Sequence, residues 1–363
     1  MAERADCFIK KFMVFFLILA ITAASFCGFF IKWSFREDSS TFGFTAMIEE
    51  TAGRPFVHRQ LLPQTVKLVA AAIPEQAKEK LENKLTKGRY IESRYAQAQI
   101  PPQYLIEYYL LFTFCFFGLF ASLWVLRSLL SEITQDKVAG TLGAMLFALI
   151  FPFFEVLGGY YYDIFEILFM FMAARFALHG NWLGLLVLTP IAEANKESFL
   201  FFLITLYPLA QMNFSTKKAI SVTTGTVMLA GVTYLYIRSL YAGNPGDMAD
   251  WRIYDHLKSA LDFSSYFHTT SIYAFPLGQG LFLPHVICVI WIVKKAWRYL
   301  TEAWRNHGKI ALVINGILYF MFVLPNEIRD LSLLYVSFMI VTAFFIREVI
   351  QNNYGQHSHK ANI

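Results

Sequence analysis

Charge is scarce in this chain of 363 residues: Asp, Glu, Lys and Arg make up 16% of it, where a soluble domain carries about 25%. Cysteine is scarce too. The four cysteines, Cys7, Cys27, Cys115 and Cys288, are far apart and three lie in apolar runs, so neither a zinc cluster nor a redox pair is indicated. Lys and Arg total 31 against 26 Asp and Glu, a small excess without a basic stripe, which argues against nucleic acid as a partner. The apolar runs lack the strict two-residue alternation of a membrane barrel. The composition also excludes a disordered chain, a collagen-like fibre and a disulfide-stapled secreted domain. What the sequence has in abundance is apolar mass: 56% hydrophobic and 17% aromatic residues. Since one bilayer-crossing helix takes about 20 apolar residues, this mass allows about ten spans. The expected fold is an all-α, polytopic membrane protein forming a single transmembrane domain over residues 1–363.

The apolar runs place the spans at 12–33, 104–126, 138–157, 162–178, 182–194, 198–211, 219–240, 271–293, 310–325 and 331–347. The fourth to sixth are short, as expected of tilted or broken helices whose ends are satisfied inside protein. Arg4, Lys10 and Lys11 precede the first run. That run is too long for a signal-peptide core and has no small-residue cleavage site, so it reads as a retained span. Placing both termini on the cytoplasmic side gathers Arg127, Lys137, Arg175, Lys217, Lys218, Lys294, Lys295, Arg298 and Arg305 there, in accord with the positive-inside rule.

Two segments on the opposite, periplasmic side are long enough to fold, 34–103 and 241–270. In the first, Val66, Val69, Ala70 and Ile73 follow a helical stripe suited to lying on a membrane surface. A charged helix with a thin stripe of Ala77, Leu81 and Leu85 is expected to cover it. The second opens with the turn signal Gly243-Asn244-Pro245-Gly246-Asp247 and continues with a short helix near 251–261.

This topology sends five polar clusters to the periplasmic face: Arg36-Glu37-Asp38, Gly53 to Arg59, Tyr160 to Asp163 with Glu166, Glu193 to Glu197, and Asn326 to Asp330. Ionisable groups near hydrocarbon are costly, so they are either paired or functional. Each cluster has a plainer reading: Asp163 and Glu166 as structural hydrogen-bonding groups, Lys196 paired with Glu193 or Glu197, Arg329 paired with Glu327 or Asp330, and the tyrosines as an interface belt. Taken together they suit a cavity for a lipid-linked phosphosugar. Arg54, Arg59, Lys196 and Arg329 would hold the phosphate. Carboxylates would serve a hydroxyl proton and the sugar hydroxyls.

A first span, a large outer loop with an acidic residue just after the span, and many spans with short loops resemble the GT-C superfamily of polyprenyl-phosphate-sugar-dependent glycosyltransferases. The segments Gly53-Arg54-Pro55-Phe56-Val57-His58-Arg59-Gln60-Leu61-Leu62-Pro63, Tyr162-Asp163-Ile164-Phe165-Glu166, Asn195-Lys196-Glu197-Ser198 and Glu327-Ile328-Arg329-Asp330 carry the likeness. The resemblance implies sugar transfer at the periplasmic face of a bacterial inner membrane. Its base would be Asp38, with Glu37, Glu49 and Glu50 as rivals, and Asp163 would join Asp38 and Glu50 in the catalytic set. His58, Tyr162, Glu166, Asn195, Glu197, Glu327 and Asp330 would contact substrate. No metal ligand set and no tightly bound cofactor are expected. The partners are membrane lipid, the lipid-linked sugar and an unspecified acceptor. An O-antigen-type polymerase or ligase, a secondary transporter and a non-catalytic assembly subunit are the competing classes.

Overall fold

The structure is a computed structural model that describes residues 2–37, 39–85, 100–155, 160–247, 249–272, 275–278 and 280–360. It is helical apart from one two-stranded hairpin. A long first helix, α1 (Ala2–Trp33), leads into the 34–103 segment, which folds as α2 (Phe44–Ile48), α3 (Leu61–Ala71) and α4 (Glu75–Leu85). The chain then enters α5 (Leu105–Thr134), α6 (Lys137–Phe154), α7 (Tyr161–Leu178) and α8 (Trp182–Asn195). Next come α9 (Ser198–Thr205), α10 (Tyr207–Asn213) and α11 (Thr216–Leu240). The second outer segment carries α12 (Ile253–Leu261) and the antiparallel strands β1 (Thr269–Ile272) and β2 (Phe275–Gly278). Helices α13 (Leu283–Ala296), α14 (Glu302–Phe322) and α15 (Tyr335–Lys360) close the chain.

Among the described residues, five segments are long and apolar enough to cross a membrane: Ile9–Ile31, Pro102–Thr134, Lys137–Phe154, Thr216–Leu240 and Ile328–Asn352. With aliphatic and aromatic side chains such as Phe12, Phe16, Leu149, Val232 and Leu235 standing exposed along them, they define an α-helical membrane protein. The expected span at 271–293 is corrected. Its first part is the β1–β2 hairpin, and the helix begins only at Leu283, because Pro276, Gly278 and Gly280 break helical continuity. The expected breaks around 162–211 are present, and there the chain forms α7, α8, α9 and α10 rather than long spans.

Local chemistry explains the joints. Gln135 ends α5 in the left-handed conformation, and the Asp136 carboxylate caps α6 by accepting from the Val138 and Ala139 amides at 2.8 and 3.1 Å. The hairpin of α5 and α6 closes tightly because Gly140 has no side chain. A Cβ there would meet the Ser131 amide nitrogen at 2.6 Å. Pro208 enters the first turn of α10, where its missing N–H is harmless, just after the chain bends at Leu206.

Helix α7 sits at the centre, packed on α5 and α8, with Tyr161, Tyr162, Asp163, Glu166, Phe171 and Ala174 all buried. An aromatic cluster of Phe26, Phe30, Phe35, Tyr108 and Phe112 locks α1 to α5 through edge-on ring contacts. At the same end of the bundle, called the loop end below, α3 packs on α5 and α8. Its buried stripe is Leu62, Val66 and Ala70, so two members of the expected stripe pack on protein, whereas Val69 faces outward. No residue of α4 is buried, so its Ala77, Leu81 and Leu85 stripe does not seal against α3.

Candidate functional site

The centre of the loop end is a buried network of charges supplied by four separate stretches of chain. Helix α7 contributes Tyr162, Asp163 and Glu166 from its first two turns. The joint between α8 and α9 contributes Lys196, whose backbone is extended (φ −162°, ψ 132°) between two helical ends, together with Asn195, Glu197 and Ser198. The 3-10 segment Ile328–Leu334 contributes Arg329, Asp330 and Ser332. From the first loop, Arg59 enters directly after the 3-10 turn Phe56–His58. A helix broken at a lysine is tolerated at this depth because the break is enclosed by protein.

Lys196 is held by three carboxylates: Nζ lies 2.8 Å from Asp163 Oδ1, 2.8 Å from Glu166 Oε2 and 3.1 Å from Asp330 Oδ1. Asp163 bridges, since its other oxygen accepts from Arg329 Nη1 at 2.7 Å. Glu166 Oε1 accepts from the hydroxyls of Ser198 at 2.5 Å and Ser332 at 2.8 Å. Arg59 forks onto Glu197 at 3.1 and 2.5 Å and donates to the Tyr162 hydroxyl at 2.6 Å. The Arg59 guanidinium also stacks 4.6 Å from the Tyr162 ring centre, and that of Arg329 lies 4.4 Å from the Tyr160 ring centre. Asn195 fixes the backbone by donating to the Tyr162 carbonyl at 2.9 Å. Three cations, Arg59, Lys196 and Arg329, thus face five carboxylates, Asp163, Glu166, Glu197, Glu327 and Asp330.

This geometry distinguishes the residues singled out from sequence. Tyr162, Asp163, Glu166, Asn195, Lys196, Glu197, Arg59, Arg329, Glu327 and Asp330 converge. Lys196 is not an open anion ligand here, because its three N–H donors are matched by three carboxylates. Asp163 is likewise no open base, with one oxygen on Lys196 and the other on Arg329. Glu50 is not brought into the network. It lies among Gln64, at 2.8 Å, and Lys67, at 3.2 Å, and the Gln64 hydrogen bond followed by the Lys67 ammonium holds its carboxyl below the usual range. A carboxylate so stabilised is a poor base. Asp38 lies outside the described residues. Its neighbour Glu37 accepts from the Thr45 amide at 2.8 Å and so anchors α2.

Arg329 differs from the other two cations. While Nη1 is held at 2.7 Å, Nη2 meets Glu327 and Asp330 only at 3.5 and 3.6 Å, and buried Nε has no hydrogen-bond partner among the described residues. Other buried polar atoms of this end are unspent in the same way: His58 Nε2, Asn195 Oδ1, Arg54 Nε and both carboxyl oxygens of Glu193. His58 stands edge-on to Tyr234, ring centres 6.4 Å apart, and burial pushes its imidazole below the ordinary value.

Two buried carboxyls were missed as site residues. Glu193 lies in the last turn of α8, separated from Glu197 by the break at Lys196, and its place in the polar run Glu193 to Glu197 was the available signal. Glu155, at the end of α6, lies within electrostatic reach of Asp163 and Arg329, a proximity that only the fold reveals. A separate cleft of about 430 Å³, lined by Ile48, Glu49, Lys67, Ala71, Lys78, Tyr104 and Glu107, opens between the first loop and the start of α5 and shares no residue with the network. Among the described residues, no three His, Cys, Asp or Glu side chains converge on a metal position.

The fold and this buried network define the class: a helical membrane protein with a charged centre at one end of its bundle. No protein-family model and no curated protein matches the chain.

Proposed function

We propose that the chain is a membrane glycosyltransferase of the GT-C type, which moves a sugar from a polyprenyl-phosphate donor to an acceptor at the periplasmic face of a bacterial inner membrane. The observation that carries this reading is the unspent hydrogen-bonding capacity of the network. Buried polar groups in a purely structural network are satisfied, since each orphan costs about 1–3 kcal/mol. Here a guanidinium edge, an imidazole nitrogen, an amide oxygen and a carboxyl remain open together. That mixture of donors and acceptors matches a ligand with anionic oxygens at one end and hydroxyls at the other.

The Nε and Nη2 edge of Arg329 fits a phosphate bidentately, with Arg54 as the second anion ligand. Lys196 and Arg59 hold Asp163, Glu166 and Glu197 in place, and Glu193, Asn195 and His58 receive sugar hydroxyls. In the reaction the acceptor hydroxyl attacks the anomeric carbon and its proton passes to Asp38. The bond from that carbon to the phosphate oxygen breaks, and Arg329 stabilises the charge that develops on the departing polyprenyl phosphate.

The test is mass spectrometry of lipids retained by the gently purified protein, comparing wild type with Arg329→Ala and Arg54→Ala. A polyprenyl phosphate or its glycosylated form in the wild type, depleted in both variants, supports the assignment. Bulk phospholipid alone, equal in all three samples, overturns it. The helix break at Lys196 is a feature shared with secondary transporters. Substrate uptake into vesicles, abolished by dissipating ion gradients, would favour that second reading.

A further inference from the structure

Helix α12 is amphipathic in an unusual setting. One edge is docked across the loop end of α14. His256 Nε2 lies 3.1 Å from the Tyr319 carbonyl and 2.9 Å from that of Val323, the Arg252 amide donates to the Met321 carbonyl at 2.8 Å, and the His256 ring meets Phe320 edge-on at 4.9 Å. Trp251 packs 5.2 Å from Phe322. The adjacent arc of the helix, Ile253, Leu257 and Leu261 at four-residue spacing with Tyr254 beside them, is exposed, Leu257 at 59% and Leu261 at 88%. The following 3-10 segment adds Phe263, 75% exposed. Asp255 and Ser259 occupy the opposite arc, and Lys258 stands at the border between the two.

The position of this face names its partner. Helix α14 exposes Leu312, Val313, Ile317 and Phe320 along its flank, an apolar strip that runs up to the turn whose carbonyls His256 touches. An amphipathic helix lying across the end of such a strip, with leucines on one arc, Trp251 and Tyr254 at its start and charges on the other arc, has the composition of a helix lying in the plane of a bilayer surface. We propose that α12 and the 3-10 segment after it form an in-plane membrane anchor, inserted at the boundary between headgroups and acyl chains of the leaflet on the loop side. The apolar arc is then covered by lipid, and Lys258 reaches the phosphate layer. The anchor fixes the second outer segment at a set height beside the charged network, whichever reaction that network performs.

The experiment uses the full chain with its four cysteines replaced by alanine, reconstituted in vesicles of phosphatidylethanolamine and phosphatidylglycerol. Nitroxide labels are placed on Leu257→Cys, Leu261→Cys, Asp255→Cys and Lys258→Cys. The expected result is that labels at 257 and 261 collide several-fold more often with oxygen than with a water-soluble nickel chelate, and that the order reverses at 255 and 258. Nickel access at 261 equal to that at 258 overturns the proposal, because the helix then stands in water. Exclusion of both reagents at 261 also overturns it and points to protein, such as a second copy, over this face. Leu257, Lys258 and Leu261 are exposed and Asp255 is half-buried in a 3.4 Å pair with Arg252, so none of the four labels enters the core. Trp251→Phe supplies an independent reading: the fluorescence quenched by lipids brominated near the headgroup falls in this variant if the anchor is inserted, and unchanged quenching counts against it.

Discussion

Replacing Asp163 by Asn and Lys196 by Met sets the two signs of charge in the buried network against each other. Removing one partner of a buried ion pair costs about 3–5 kcal/mol, mostly as the penalty for the charge left behind. After Asp163→Asn three cations still face four carboxylates, and Lys196 retains Glu166 and Asp330 at 2.8 and 3.1 Å. The expected cost is therefore at the lower end, about 3 kcal/mol. After Lys196→Met two cations face five carboxylates, and Asp163, Glu166 and Asp330 lose their common ammonium together. The expected cost is about 5 kcal/mol. At about 2 °C per kcal/mol for a chain of this size, thermal unfolding in detergent should fall by roughly 6 °C in the first variant and roughly 10 °C in the second. The double variant should lose less than the sum, because the two residues share one interaction. An Asp163→Asn protein that unfolds at or below the midpoint of Lys196→Met would refute the charge count and with it the reading of Lys196 as the tether of the network.

Arg59→Lys keeps the charge but loses the fork onto Glu197 and the bond to Tyr162, so the first loop should open more readily, seen as about tenfold faster limited proteolysis between residues 34 and 103. His58 has its pKa lowered by burial, so the folded chain refuses a proton that the unfolded chain accepts. Stability is full above the ordinary imidazole value of 6.5 and declines as the pH drops below it. In His58→Gln the thermal midpoint should change less between about pH 7.5 and pH 5 than in wild type. Gly246 has φ +99° and a Cβ there would meet the Arg54 carbonyl at 2.8 Å, so Gly246→Ala should cost about 1–3 kcal/mol and loosen the first loop, read by hydrogen exchange at the Arg54 amide, which is bonded to the Pro245 carbonyl at 2.8 Å.

The membrane class was legible from composition, and the placing of α1, α5, α6, α11 and α15 followed from run length alone, because a lipid-facing helix announces itself by hydropathy. The short helices around 162–211 were also visible as short runs, although only coordinates reveal that Lys196 occupies the break between two of them. The charged residues of the network were legible as one polar cluster, and their pairing was legible only in part. Sequence proximity suggested Lys196 with Glu193 or Glu197, whereas Lys196 meets Asp163 and Glu166 across the bundle and leaves Glu197 to Arg59. Arg329 does meet Glu327 and Asp330 as expected, at 3.5 and 3.6 Å, but its shortest bond is to Asp163. The 271–293 stretch misled because its apolar composition hides two prolines and two glycines that favour a hairpin and a late helix start. In α3, Val66 and Ala70 of the expected stripe are buried together with Leu62, because that arc packs on α5 and α8, a neighbour that run composition does not reveal.

The distances along the chain between network partners carry a consequence for how the protein is made. Arg59 waits 138 residues for Glu197, and Asp163 waits 166 residues for Arg329. During synthesis, α7 is therefore made with two carboxylates, Asp163 and Glu166, before Lys196 and Arg329 exist, and Lys196 is made before Asp330. Asp163 and Glu166 gain their shared ammonium at residue 196, and Asp163 gains its guanidinium only at residue 329. A chain that stopped before residue 329 would keep Lys196 on Asp163 and Glu166 but leave the second oxygen of Asp163 without Arg329. The network thus closes in order along the chain, and Asp163 has both of its oxygens paired only once the 3-10 segment carrying Arg329 has been made.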